Sequence, residues 1–412
     1  MQDSVADAAA RANDPFDVSP SELYRHDVWQ LPFARLRAEA PVNYVSHSAY
    51  GPYWSISSYS GVVEVESLPD IYSSESTGIT IAEFYGEGQV RLPMFIARDR
   101  PTHTDQRRTV APAFAPSEIT RMSGDIRRRT ADILDSLDWD TEFDWVDKVA
   151  IELTTQMLAI LFDFPWHDRR KLTVWSDWAA NIELTKTDAL RKERLGHMFE
   201  CGAYFKTLWD QKVGKPATPD LISMMIHSDA MAHMDQHEFI GNLILLIVGG
   251  NDTTRNTMSA LAYGLDKFPD ERAKLEAEPG LIPNTVSEIM RWQTPIAHMR
   301  RTAKRDTELM GQQIRAGDKL ALWYISANRD ERVFGNDADA IRVDRPNARR
   351  HLAFGHGIHR CVGARLAEVQ IAILLEEMAA RRMRVNVVAQ PERIPSCFIH
   401  GYRTLPVKIS RY

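Results

Sequence analysis

A mostly α-helical chain with a minor β portion at one side is what the sequence predicts. Long stretches carry apolar residues at helical spacing, strand-like pieces are short and few, and no repeat, low-complexity tract or Gly/Ser-rich linker marks a boundary. The helical pattern is strongest over 117–137, 149–162, Gln236–Lys267 and 364–382. Strand signals occur at 42–47 and 53–58, and again in 307–326, where a turn at Ala316-Gly317-Asp318 separates two candidates. The tail, 396–410, reads as a last hairpin with Gly401 in its turn. A single domain spanning 1–412 is expected.

The bulk properties exclude several function classes. A net charge of −6 lacks the basic footprint of a nucleic-acid-binding protein. Three cysteines, Cys201, Cys361 and Cys397, are too few and too scattered for a disulfide framework and fit a reducing cytosol. The first twenty residues are polar and acidic, without the basic start and apolar core of a secretory signal. The most apolar stretch, 239–248, is broken by Gly241 and Asn242 and is about half a membrane span. A cytoplasmic chain with no membrane span is expected.

Phe354-Gly355-His356-Gly357-Ile358-His359-Arg360-Cys361-Val362-Gly363 is the most informative segment. Gly355 and Gly357 permit tight backbone conformations, Gly363 permits close approach, and a helical pattern starts at Ala364. A cysteine just before a helix start sits where free N–H groups and the positive dipole end favour a thiolate. As an axial haem ligand, such a thiolate pushes electron density onto iron and favours O–O cleavage. Two other readings stand beside this one: a buried structural cysteine in a glycine-rich turn, and a zinc site using His356, His359 and Cys361. A dinucleotide loop would follow a strand within a βαβ unit, and none surrounds this segment.

The longest helical pattern carries Leu246-Ile247-Val248-Gly249-Gly250-Asn251-Asp252-Thr253-Thr254 at its middle. Residues 245, 249 and 253 share one face. Two glycines in mid-helix cost about 1 kcal/mol each relative to alanine, so an offsetting role such as room for a ligand is expected. Thr253 can hydrogen-bond back to a carbonyl one turn earlier and bend the helix. Reductive oxygen activation consumes two protons, and an acid (Asp252) beside a hydroxyl (Thr253) in a small polar notch can deliver them through water. A buried, kinked helix with a solvent-facing Asp-Thr pair is the plainer alternative.

Other charges form spaced sets. Glu288 and Arg291 are three apart on a helix, a spacing that usually makes an exposed pair. His103 and Arg107 are four apart, and Arg301 lies in Met299-Arg300-Arg301-Thr302-Ala303. Arg107, Arg108, Arg127, Arg128, Arg129, Arg349, Arg350 and Arg360 form a candidate basic patch suited to a small acidic electron donor.

The cysteine segment resembles the haem-binding loop of the cytochromes P-450, Phe-Gly-x-Gly-x-His-x-Cys-x-Gly, at every fixed position. Gly249, Gly250, Asp252 and Thr253 resemble that family's Ala/Gly-Gly-x-Asp/Glu-Thr. Glu288 and Arg291 resemble its Glu-x-x-Arg, and His103 and Arg107 its His-x-x-x-Arg. The resemblance runs through nearly the whole chain in the family's order. It implies a single large triangular-prism fold, with haem between the long oxygen-activating helix and the helix after the cysteine loop. It implies haem b held by Cys361 as axial iron ligand, with His103, Arg107, Arg301 and His359 at the propionates and O2 as co-substrate. Asp252 becomes the proton-relay acid, Thr253 the relay hydroxyl, and Glu288–Arg291 a structural tie to the loop before the cysteine segment.

Three stretches, 161–177, 248–256 and 294–303, are most similar to the bacterial alkane and fatty-acid terminal hydroxylases of this superfamily. That likeness implies terminal hydroxylation of a small apolar substrate, a medium-chain alkane or fatty acid, to its primary alcohol, in a narrow tunnel that admits the chain end-on. Ile81, Phe84, Met94, Leu245, Val248, Gly249, Ile296, Ala297 and Phe398 are the expected pocket residues. The sequence shows no flavin- or iron–sulfur-binding extension before Tyr412, so electrons are expected from a separate ferredoxin and its reductase, serving a monomer. Hydroxylation of a bulkier terpene or sterol is the runner-up, and a haem sensor or carrier without turnover is the rival from another class.

Overall fold

A computed structural model describes residues 14–75, 78–84 and 90–412. Among the described residues the helices include α1 (Tyr59–Ser67), α2 (Thr102–Val110), α3 (Pro116–Asp135), α4 (Glu152–Phe162), α5 (Lys171–Ala180), α6 (Asp188–Lys212), α7 (Gln236–Lys267), α8 (Ile282–Gln293) and α9 (Ala364–Ala380). The long α7 has the bounds its apolar periodicity predicts. Asp235 caps its start by accepting a hydrogen bond from the Glu238 N–H at 2.9 Å, meeting one of the orphan donors there. A wide turn over Val146–Ile151 precedes α4, so that helical stretch begins slightly earlier than the sequence pattern indicates.

The helices bury their apolar faces on α7. One cluster joins Leu158 and Phe162 of α4, Trp175 of α5, Met198 and Phe205 of α6, and Leu243 and Ile247 of α7. A second joins Met258 and Leu261 of α7, Val286 and Ile289 of α8, and Ile371 and Leu374 of α9. α7 is thus the axis on which the rest packs.

Strands β1 (Val42–Val45), β2 (Tyr53–Ile56) and β3 (Tyr72–Ser73) join two later ones, and β4 (Phe143–Asp144) lies apart. Then come β5 (Met299–Ala303), β6 (Thr307–Leu309), β7 (Gln312–Ile314), β8 (Lys319–Leu322), β9 (Met383–Val387), β10 (Glu392–Arg393), β11 (Tyr402–Thr404) and β12 (Pro406–Arg411). The largest sheet runs β1-β2-β8-β5-β3, with Arg301 of β5 opposite Leu320 of β8. The turn at 316–318 separates β7 from β8, but the two do not pair: β7 closes a hairpin with β6, while β8 enters the large sheet.

The tail differs from expectation. Gly401 is not in a hairpin turn: β11 pairs with β10, and β12 pairs with β9 and β4. Residues before Gly401 are tied instead to 295–297, through His400 N–H to Pro295 O (2.9 Å) and an Ile296–Ile399 bridge. Gly401 itself lies against α7, where a Cβ would be 2.1 Å from Asn256 Oδ1. It is there for close approach.

Candidate active site

The cysteine segment is a loop wound on a buried carboxylate. Gly355 and Gly357 have φ of +69° and +64°, and a Cβ on Gly357 would lie 2.2 Å from the carbonyl oxygen of Glu66 at the end of α1. The Glu66 carboxylate accepts from His356 N–H (2.7 Å), Tyr324 Oη–H (2.6 Å) and Arg301 Nη2 (2.9 Å). Cys361 N–H closes the loop onto Phe354 O at 2.8 Å, and α9 starts three residues later. Burial pushes the Cys361 thiol up, opposed by the Gly363 N–H and by the charges of Arg107 and Arg360. Those are groups that favour a thiolate once it gains a cationic partner. Cys201 and Cys397, by contrast, are packed in the core.

Cys361 lines a cavity whose opposite wall is α7. Leu245, Val248, Gly249 and Thr253 all line it, as the shared helical face requires. The two glycines differ. A Cβ on Gly249 would meet nothing within 4 Å, whereas one on Gly250 would lie 2.7 Å from Leu158 Cδ2 of α4. Gly249 opens space; Gly250 admits a neighbouring helix. Thr253 Oγ1 donates to Gly249 O at 2.7 Å, yet α7 continues unbroken.

Asp252 faces elsewhere. It does not line the cavity, and its Oδ1 accepts from Ser176 Oγ (2.9 Å), Asn251 Nδ2 (3.2 Å) and Arg255 Nη2 (2.9 Å). Arg255 also donates to Asp177, whose side chain is 55% exposed. Acid and hydroxyl therefore do not share one notch: helical geometry turns adjacent side chains about 100° apart. Burial raises the Asp252 pKa to about 6; Arg255 pulls it down and Asp177 pushes it further up.

Between the walls, His103 of α2 and His359 have ring centroids 4.1 Å apart. The Nδ1 atoms of both are buried without a protein partner. Burial first, then neighbouring guanidiniums, lower both imidazoles, His103 to about 4. Arg107, which donates to Arg360 O at 2.5 Å, and Arg301 line the same place. Orphan imidazole nitrogens and two guanidiniums at one end of a cavity, with a cysteine on one wall, fit a planar metallocofactor bearing carboxylates. Zinc ligation by His356, His359 and Cys361 finds no support: among the described residues no group of three His, Cys, Asp or Glu is placed to hold a metal ion.

Seven of the nine expected pocket residues line the cavity: Phe84, Met94, Leu245, Val248, Gly249, Ile296 and Phe398. Ile81 and Ala297 do not. The Ile81 N–H donates to His298 Nε2 (3.1 Å), and Ala297 pairs through its N–H with Phe398 O (2.8 Å) and through its carbonyl with Ile325 N–H (3.1 Å). Both side chains are buried in the packing beside the cavity.

Glu288 and Arg291 are fully buried rather than exposed. Arg291 donates to the carbonyls of Asn328 (2.8 Å), Ala338 (2.7 Å) and Ala340 (2.9 Å), and Glu288 Oε1 accepts from Arg345 Nε at 3.0 Å. The candidate basic patch is partly neutralised. Arg108, Arg127 and Arg128 pair with Asp105, Glu377 and Asp125, and Arg129 lies over the Trp166 ring.

Sequence reasoning missed Glu66, Tyr324 and Arg345, which sit in ordinary-looking helical or turn contexts. It also missed Ser176 and Arg255. Only Arg255, at i+3 from Asp252, had a legible spacing.

The comparisons agree with this geometry. A family model described as "Cytochrome P450" matches residues 120–387. Linalool 8-monooxygenase of Pseudomonas putida is 32% identical, covering 95% of this chain and 98% of its own length. The methyl-branched lipid omega-hydroxylase of Mycobacterium tuberculosis is 32% identical, covering 95% of both. The structure of CYP153D17 from a Sphingomonas species superposes with a TM-score of 0.92 at 74% identity, covering 97% of this chain and all of that one. The chain has the mostly α cytochrome P450 fold and belongs to the cytochrome P450 family of haem-iron monooxygenases, which use O2.

Proposed function

We propose that this protein hydroxylates the terminal carbon of a medium-chain linear substrate, an alkane or a fatty acid, giving the primary alcohol. Supporting this reading, Cys361 and Thr253 line one cavity whose α7 wall includes Leu245, Val248 and Gly249. Phe84, Met94, Ile296 and Phe398 add apolar surface. A relative named an omega-hydroxylase of methyl-branched lipids points the same way.

When bound, haem b supplies activation of O2 and transfer of one oxygen atom. Cys361 would hold its iron, and His103, Arg107, Arg301 and His359 would hold its carboxylates. Thr253 presents its hydroxyl to the cavity and holds it in place by donating to Gly249 O. Asp252, its pKa raised to about 6, takes up and releases a proton just below neutral pH and, through the Arg255 guanidinium it shares with Asp177, connects the interior to an exposed carboxylate. The apolar walls exclude water and orient the chain end-on, so that reach rather than C–H bond strength selects the carbon. Electrons come from a separate ferredoxin and its reductase, and the protein works as a monomer in the cytoplasm. No helix among the described residues is long and apolar enough to cross a membrane.

Turnover with ferredoxin, reductase, NADH and a linear alkane is expected to give mainly the 1-alcohol by gas chromatography. Conversion of terpenes or sterols alone would overturn the reading. Cys361→Ser is expected to abolish the shifted carbon-monoxide band of the reduced protein; its retention would remove Cys361 as ligand.

A further inference from the structure

Residues 78–84 form part of the cavity wall and belong to no helix or strand, so no strand ladder holds them. Their hold comes from β5, β8 and the residue before β5. Arg300 N–H donates to Ile79 O (2.8 Å), Arg300 Nη1 to Glu83 Oε1 (2.6 Å), and Lys319 Nζ to Ile81 O (3.2 Å). His298 takes the other backbone group of Ile81, accepting from its N–H at 3.1 Å.

His298 differs from these neighbours in reaching a second wall. Its Nδ1 donates to Cys397 O at 2.7 Å, and its ring stands edge-on to Phe398 with centroids 5.6 Å apart. A carbonyl can only accept and an amide N–H can only donate, so the imidazole is neutral, with its proton on Nδ1 and a lone pair on Nε2. Burial agrees, lowering the His298 pKa to about 4 against the pull of the Cys397 carbonyl, with Arg300 and Lys319 lowering it further. His298 is fully buried and does not line the cavity, whereas Thr80, Ala82, Phe84 and Phe398 do.

We propose that His298 is a positioning residue for the choice of carbon: one ring, bonded to both segments, sets how the 78–84 wall stands relative to Phe398. This rests on the linear-chain reading above and deepens it by naming what fixes the shape of the tunnel. An alkane has no polar group to orient it, so its end reaches Thr253 ahead of its other carbons only if the walls keep one spacing. Buried hydrogen bonds with fixed partners specify one arrangement, where apolar contact alone tolerates several.

The test is turnover of octane by wild type and variants with ferredoxin, reductase and NADH, the alcohol isomers being separated by gas chromatography. The wild type is expected to give mainly the primary alcohol. His298→Leu removes both bonds; the share of internal octanols is expected to rise several-fold and kcat/KM to fall about tenfold through KM, a modest case of what a misplaced substrate costs. His298→Gln, whose amide can donate to the carbonyl and accept from the N–H, is expected to restore most of the selectivity. Glu83→Ala, which cuts a tie at the half-exposed end of the same segment, is expected to shift the isomers the same way by less. The carbon-monoxide band of the reduced protein is expected to be the same in all. An unchanged isomer ratio in folded His298→Leu, or a shift that His298→Gln does not restore, would overturn the proposal. Where His298→Leu does not fold, an unchanged ratio in Glu83→Ala does so. A wild type that converts a monoterpene but no octane would instead overturn the linear-chain reading, and the proposal with it.

Discussion

Two buried acid–arginine pairs in this molecule have the same i,i+3 spacing and opposite character. Glu288–Arg291 on α8 is fully buried, with Nε to Oε2 at 2.7 Å and Nη2 to Oε1 at 2.8 Å. Asp252–Arg255 on α7 is nearly as buried, but Arg255 reaches it with one nitrogen, Nη2, and shares that nitrogen with Asp177. Burial penalises ionisation of both acids. For Glu288, the bonds and charge of Arg291, the charge of Arg345 and the Arg342 N–H outweigh burial and hold the pKa below its ordinary value. For Asp252, burial wins and the pKa rises to about 6. Spacing alone does not set a pair's role; the number of donors converging on the carboxylate does.

Breaking the first pair is expected to have the largest effect. Glu288→Ala leaves Arg291 buried without its carboxylate while Arg345 keeps Asp337, and losing one partner of such a buried pair costs about 3–5 kcal/mol. A denaturant midpoint close to wild type would mean that the lock is redundant. Next in size is Asp252→Asn. It keeps the shape but cannot hold or pass a proton, so product formation is expected to fall about 100-fold, within the range of general acid catalysis. The protein should remain folded and its substrate binding unchanged. Equal turnover would leave Asp252 a structural residue.

The pairs should also respond oppositely to acid. Glu288 has a lowered pKa, so its stabilisation is present at neutral pH and is lost as pH falls below the ordinary glutamate value towards the folded one. Asp252 has a raised pKa, so between about 6 and about 4 the folded state binds the proton that the unfolded chain lacks. Its contribution to stability therefore grows as pH falls through that window, by no more than about 1.4 kcal/mol per pH unit. Asp252→Asn should remove this rise. Identical pH dependence of thermal unfolding in variant and wild type would contradict the raised pKa.

The same contrast explains what was legible in the sequence. The bounds of α7, the face shared by Leu245, Gly249 and Thr253, and the cysteine loop just before α9 follow from local periodicity and glycine placement, and the structure has them. Glu66 was not legible. It holds Arg301, Tyr324 and the loop N–H of His356, residues far from it in sequence, and nothing in its own helix marks it as more than a surface acid. The burial of Glu288 and the orientation of Asp252 depend likewise on partners brought from elsewhere, Arg345 in one case and Ser176 in the other. The tail was misread because a glycine suits both a turn and a close approach, and only the position of Asn256 decides between them.

The smallest effect concerns the residue after Asp252. Thr253 faces the cavity rather than the acid's network, and its hydroxyl donates back to Gly249 O within α7. Removing the hydroxyl therefore leaves both buried pairs intact and frees only a carbonyl beside the cavity. Thr253→Ala is expected to match wild type in stability and in rate of NADH use, while the fraction of NADH recovered as alcohol falls several-fold and hydrogen peroxide makes up the difference. If coupling is lost in Asp252→Asn but kept in Thr253→Ala, protons reach the cavity from the acid without this hydroxyl. If both variants lose it, the two sides of α7 act in series, joined only by the turn of the helix between them.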